Sequence, residues 1–221
     1  MATRKDKSTI GEFRGSIGPI VIVDSLGGPV AKSQPKKRGK NSLNDEQKKH
    51  TGPFSKLNKF LQQATDVINL GYQLSKKAGM SRFNAAVQWH FKEALAEDQE
   101  KALIDFEKLK LSSPIKMTQK AWEPKVTSDE IHKMTVTWKL NPLPKKCTQL
   151  NDRAVIVVHF LERGRSRFMC YQDAMRRDLN FTTEVPFMMR GQKVHCYMFM
   201  LSADKKLVSD TQYLGALQLK F

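Results

Sequence analysis

The rhythm of hydrophobic and polar positions changes twice along the chain, and the two changes divide it into three segments. Between residues 10 and 34, Ile17, Ile20, Val21, Ile22 and Val23 form a β-branched run, the composition of a strand. Ser25-Leu26-Gly27-Gly28 follows with residues that tolerate positive φ, so the segment reads as a β-hairpin or a pair of short strands. Gly11, Gly15 and Gly18 recur around Phe13, just before the run. That spacing marks a backbone that packs closely against something or bends sharply, with Phe13, Ile20 and Ile22 as the packing side chains. A dinucleotide fingerprint is excluded, because Gly15-x-x-Gly18 precedes the strand and no phosphate-gripping helix opens behind it.

From Asn44 the period becomes helical. Asn44 or Asp45 would serve as a cap, but Gly52-Pro53 interrupts early, which places the helix proper near Thr51 with Pro53 in its first turn. Phe54, Leu57, Phe60, Leu61, Ala64, Ile68 and Leu74 then make one apolar stripe, broken at Gly79. Ser81 is placed to cap a second helix ending near Glu97, with Phe83, Ala86, Val87, His90, Phe91, Ala94 and Leu95 on its stripe. Joined by a short turn, the two form a helical hairpin with a shared apolar face.

After Leu111 the pattern alternates, with turn residues at short intervals. It predicts strands over 114–118, 122–126, 133–140, 154–160, 166–171, 179–185, 193–201 and 212–219. Val136 and Trp138 alternate with polar neighbours, whereas Ala154 to Phe160 and Val194 to Leu201 are nearly continuous apolar runs, as central strands of a sandwich would be. The expected fold class is α+β. A basic β-hairpin arm and linker (1–43) leads to a helical hairpin (44–111) and an immunoglobulin- or fibronectin-like antiparallel β-sandwich (112–221). Trp138 suits that sandwich, and a disulfide-linked antibody-type domain is excluded because no cysteines sit at the expected strand positions.

Charge adds a second layer to this division. The chain of 221 residues has 38 Lys and Arg against 22 Asp and Glu, a formal net charge of +16, which attracts polyanions: nucleic acid, an anionic membrane or an acidic protein. Residues 1–59 hold 13 basic and 5 acidic residues, residues 60–111 hold 7 of each, and residues 112–221 hold 18 and 10. The helical middle is therefore neutral between two basic ends. Cys147, Cys170 and Cys196 are too few and too scattered for a disulfide framework. The N-terminus is charged, without an apolar signal-peptide core, and no stretch approaches the ~18–20 apolar residues that span a bilayer. The expected location is the cytoplasm, or the virion for a phage-encoded chain.

The basic positions are the main candidates for partner contact. Lys32, Lys36, Lys37, Arg38 and Lys40, with Lys48 and Lys49 ahead, form a Pro/Gly-broken run able to neutralise phosphates. A solvated linker would look the same. Arg163, Arg165 and Arg167 sit in a predicted hairpin turn, and Arg176 and Arg177 would extend the same surface. No interleaved aromatics accompany either cluster, so a stacking platform for single strands is not indicated. His159 and His195 fall on strands expected to be neighbours, but Cys196 points to the opposite face from His195, so satisfied histidines are expected and no metal. Met188 and Met189 read as core filling or as an adaptable contact surface. No Gly-x-Ser-x-Gly, His-Glu-x-x-His or phosphate loop occurs. A non-enzymatic protein without cofactors is expected.

Gly11-Glu-Phe13-Arg-Gly15-Ser-Ile-Gly18-Pro-Ile-Val, then Gly28, then Ser33-Gln-Pro35-Lys-Lys-Arg38 resembles the N-terminal signature of an uncharacterised family found widely in Bacteroidetes. Gly79-Met80-Ser-Arg-Phe83-Asn84-Ala85-Ala86 resembles that family's helix start, and Tyr213-Leu214-Gly215 its β-rich end. Ser16 and Lys32 depart from the Lys and Arg usual there. The resemblance implies the architecture and a bacterial or phage-associated origin, and carries no activity. The functional expectation is a structural or assembly protein, a component of a multi-subunit or phage-like particle whose arm adds to a neighbour's sheet. The alternative is non-specific nucleic-acid binding through the basic arm and the sandwich arginines.

Overall fold

The computed structural model describes residues 3–4, 13–25, 28–35, 44–73, 79–94, 104–128 and 130–219. The first described elements are strands β1 (Thr3–Arg4), β2 (Phe13–Ile17), β3 (Ile20–Ser25) and β4 (Gly28–Ser33). Helices α1 (Asp45–Gln62), α2 (Thr65–Gly71) and α3 (Arg82–Glu93) come next. Strands β5 (Trp122–Thr127), β6 (Lys133–Lys139), β7 (Arg153–Glu162) and β8 (Arg165–Tyr171) follow, then β9 (Asn180–Glu184), β10 (Lys193–Leu201) and β11 (Gln212–Gln218).

The N-terminal arm is an antiparallel meander in the order β1-β2-β3-β4, two strands larger than the expected hairpin. Ile17 pairs with Ile20 across a tight turn in which Gly18 has a φ of 56°, and Ile22 pairs with both Gly15 and Ala31. Gly15, with a φ of 103°, holds a backbone conformation open to glycine within β2. Since cross-strand partners share a face, Ile17, Ile20, Ile22 and Ala31 line one side and Val21, Val23 and Val30 the other. None of the described side chains of this sheet is buried, and none joins a hydrophobic cluster. Gly11, Lys36, Lys37, Arg38 and Lys40 lie outside the described residues, as does the side chain of Phe13.

Helix α1 begins at Asp45, and Pro53 lies buried inside it. The helix therefore starts earlier than the expected Thr51, and Pro53 gives up an interior backbone donor. The expected long stripe is divided between α1 and α2. Gln63 N donates to the Phe60 carbonyl (3.1 Å) and Ala64 N to that of Leu61 (2.9 Å), bonds that tighten and close α1. Ser81 caps α3 as expected, accepting from Asn84 N at 3.1 Å. The predicted strand over 114–118 is not one. Ile115 N and Lys116 N both donate to the Gln73 side-chain carbonyl at 2.7 Å, and Met117 makes an isolated bridge with Val208.

Seven strands form a β-sandwich. One sheet has the order β5-β6-β9 and the other β11-β10-β7-β8, all antiparallel. Between the sheets, Ala154, Ile156, Met198 and Met200 meet Val136 and Trp138, while Val158, Phe160, Val194 and Cys196 meet Met134 and Leu219. The alternate residues Val155, Val157, Tyr197, Phe199 and Leu201 face the other way, into a cluster with Leu57, Leu61, Val67, Ile68, Ala86 and Val87 of the helices. The helices are thus a third layer. This is why β7 and β10 read as continuous apolar runs, since both of their faces are buried. Gly71, at the end of α2, is held at backbone distance from the strap over 111–113. A Cβ there would overlap the Leu111 carbonyl and press Ser112 Cα at 2.9 Å.

Candidate functional site

Charge and shape coincide where the end of α1 meets the β7–β8 hairpin. On α1, Leu57, Phe60 and Leu61 point into the core, which leaves Lys56 and Lys59 exposed. The hairpin closes over Arg163 and Gly164, with φ of 49° and 76°, and Glu162 pairs with Arg165 across this two-residue turn. Two successive positive φ values match the twist of the flanking strands, which fits an X-Gly pair. Between the helix and the hairpin lies a cleft of about 480 Å³ lined by Lys56, Lys59, Phe60, Gln62, Gln63, Arg165, Ser166 and Arg167. Arg167 is fixed there, donating to Glu162 at 3.0 Å and to the Gln63 side-chain carbonyl at 2.9 Å. The side chains of Lys56, Lys59 and Arg165 have no ion-pair or hydrogen-bond partner among the described residues. Arg163 stands at the hairpin tip outside the lining.

The other arginine pair is elsewhere. Arg176 is 1% exposed, and its guanidinium donates to Asp152 (3.2 Å), the Gln119 carbonyl (2.6 Å) and Asn141 (2.8 Å). Its own backbone N donates to the Asp152 carbonyl, at the start of β7. The Arg163 turn follows the far end of this 10-residue strand, roughly 30 Å away at ~3.3 Å per residue. The expectation of one shared arginine surface is therefore corrected: Arg176 is a buried structural cation. Arg177 is exposed and pairs with Asp178 at 3.8 Å. Lys32 is exposed on β4.

His159 and His195 are direct cross-strand partners, with ring centroids 6.1 Å apart. Phe106 stacks on both, at 4.9 and 4.2 Å, and Phe60 and Phe168 close around His159 at 5.4 and 5.0 Å. His195 Nδ1 bonds the Tyr213 hydroxyl at 2.8 Å. His159 departs from the satisfied histidine expected, since it is buried with neither ring nitrogen partnered. Burial lowers its pKa to about 4, helped by the neighbouring His195. Cys196 faces the opposite side of β10 and is buried near Met134. Among the described residues no cluster of three or more His, Cys, Asp or Glu is placed to hold a metal ion. Of the late methionines, Met189 is buried, while Met188 and Phe187 are exposed and Arg190 lies over the Phe187 ring.

Sequence reasoning found Arg165 and Arg167 but missed Lys56 and Lys59. Their only local signal is a position opposite the apolar stripe, and the hairpin that completes the cleft is about a hundred residues away, with Gln63 and Arg167 separated by 104. No helix among the described residues is long and apolar enough to cross a membrane.

The fn3 domain of human collagen alpha-1(XX) chain, a solution structure, is similar over 49% of this chain and 91% of its own, at 12% identity and a TM-score of 0.32. No curated protein matches the chain. A family model matches residues 15–215, nearly the whole described fold, and the chain belongs to that group, the Family of unknown function (DUF6266).

Proposed function

We propose that this is a non-enzymatic assembly protein whose N-terminal meander is completed by a second copy of the chain. The observation that carries the reading is the absence of buried side chains among the described residues of that sheet, despite its β-branched content. Ile17, Ile20 and Val30 are among the exposed large hydrophobics. Short strands without a covered hydrophobic face are marginal in water, so a sheet of this kind gains its stability from something laid against its face or added to its edge.

Charge leaves this sheet as the surface where a copy of the same chain can be that partner. At +16, most surfaces of two copies repel each other. Over residues 13–35 the only ionised side chains are Arg14, Asp24 and Lys32, and Arg14 pairs with Asp24. The arm sheet is therefore the low-charge, apolar surface through which two basic molecules can meet. An edge strand such as β4 can also pair with its own symmetry mate.

Deleting residues 1–40 tests this. The truncated chain is expected to keep the thermal unfolding of the sandwich and helices, whose three clusters include no described arm residue, and to lose its oligomers on size-exclusion chromatography with light scattering. Oligomers that survive the deletion would refute the proposal.

A further inference from the structure

We infer that the cleft between α1 and the β7–β8 hairpin binds a phosphate group, with Lys56, Lys59 and Arg165 as its charged ligands and Arg167 as the fixed wall. The inference is independent of the arm. Four cations face one cavity of about 480 Å³, and the carboxylate drawn into their hydrogen bonding is Glu162, which holds Arg167. Gathering like charges costs free energy in an empty site, and that cost is relieved when an anion enters.

The number and type of cations select the ligand. Lys56 and Lys59 are one helical turn apart on α1, so their ammonium groups reach the same space from one side. Arg165 approaches from the hairpin with a guanidinium unengaged among the described residues, a planar fork that takes two oxygens at once. A carboxylate brings one charge. A phosphate monoester brings nearly two, with three acceptor oxygens, and so matches two ammonium donors and a guanidinium. The cavity exceeds the volume of a bare phosphate, and Phe60 gives it an apolar wall. The shared chemistry is a terminal phosphate, carried either by a small nucleotide-like molecule or by the end of a nucleic-acid strand.

The test is isothermal titration of the full chain with pyrophosphate, and separately with a short oligonucleotide bearing a terminal phosphate. The cleft variant Lys59→Gln/Arg165→Gln is compared with a control of equal charge change, Lys146→Gln/Lys205→Gln, at exposed positions away from the cleft. Hydrogen bonds to charged groups make the expected loss in the cleft variant roughly tenfold or more in Kd, with the control near wild type. That loss with pyrophosphate assigns a free phosphate compound, and the loss with the oligonucleotide alone assigns a strand end. Absence of binding to either, or equal weakening in both variants, overturns the inference.

Discussion

Two buried histidines make the fold acid-labile by an amount that can be worked from their surroundings. His90 lies on α3 with Nδ1 on the Ala86 carbonyl at 2.7 Å, and its Nε2 accepts from Lys110 N at 3.0 Å. An Nε2 that accepts a hydrogen bond cannot also be protonated, so the native ring is neutral. Burial lowers the His90 pKa to about 4, the Ala86 hydrogen bond opposes the shift, and Lys110 adds to it. His159, caged by Phe60, Phe106 and Phe168, also falls to about 4. Both rings take up a proton in the unfolded chain near 6.5. Their stabilising effect is therefore complete above that pH and is lost as pH falls from 6.5 to about 4. At 1.36 kcal/mol per pH unit, each histidine accounts for roughly 3 kcal/mol over that window. Two together remove about 6 kcal/mol, comparable with the whole stability of an ordinary domain. Urea unfolding at a series of pH values reads this directly. His159→Phe is expected to halve the pH dependence, and to add about 1 kcal/mol at neutral pH by removing two unpartnered polar atoms from an aromatic cage. Stability that stays level between pH 6.5 and 4, or a His159→Phe protein with the wild-type slope, would refute the reasoning.

Three substitutions test the packing of the helices and the sandwich. Gly71→Ala drives a Cβ into the Leu111 carbonyl, so a loss of about 2 kcal/mol and a lower Tm by calorimetry are expected. Thr211→Val removes the hydroxyl that accepts from Leu111 N (2.9 Å) and Ser112 N (2.8 Å), and denaturant unfolding is expected to show a loss of roughly 1–3 kcal/mol. Asp152→Ala strands the buried Arg176 cation and is expected to cost about 3–5 kcal/mol. The double variant Asp152→Ala/Arg176→Met is expected to recover part of that loss, and a double that is simply the sum of the singles would contradict a coupled pair.

Much of the strand pattern was legible because alternation is a local signal. The predicted strands from residue 122 onward fall on β5 to β11, and Ser81 is the cap of α3. What escaped depends on distant partners. By pattern alone the continuous runs of β7 and β10 are ordinary sandwich centres, whereas they record a third layer that only the helices supply. Residues 114–118 alternate like a strand, yet two of their amides are taken by Gln73, just after α2. Arg176 had the look of a surface cation, since nothing near it in sequence announces Asp152 and the Gln119 carbonyl as its partners. The cleft was half visible for the same reason: the Arg-Gly turn is a local feature, while the approach of Lys56 and Lys59 follows from helix docking.

The mass of the intact protein in solution tests the assembly reading most directly. Sedimentation equilibrium should give a multiple of the chain mass for the full sequence. Ile20→Lys/Ile22→Lys, which places two charges on the apolar face of the meander, should give a single chain with an unchanged unfolding curve. A full-length chain that remains monomeric at every concentration, or a double variant that associates like the wild type, would contradict it.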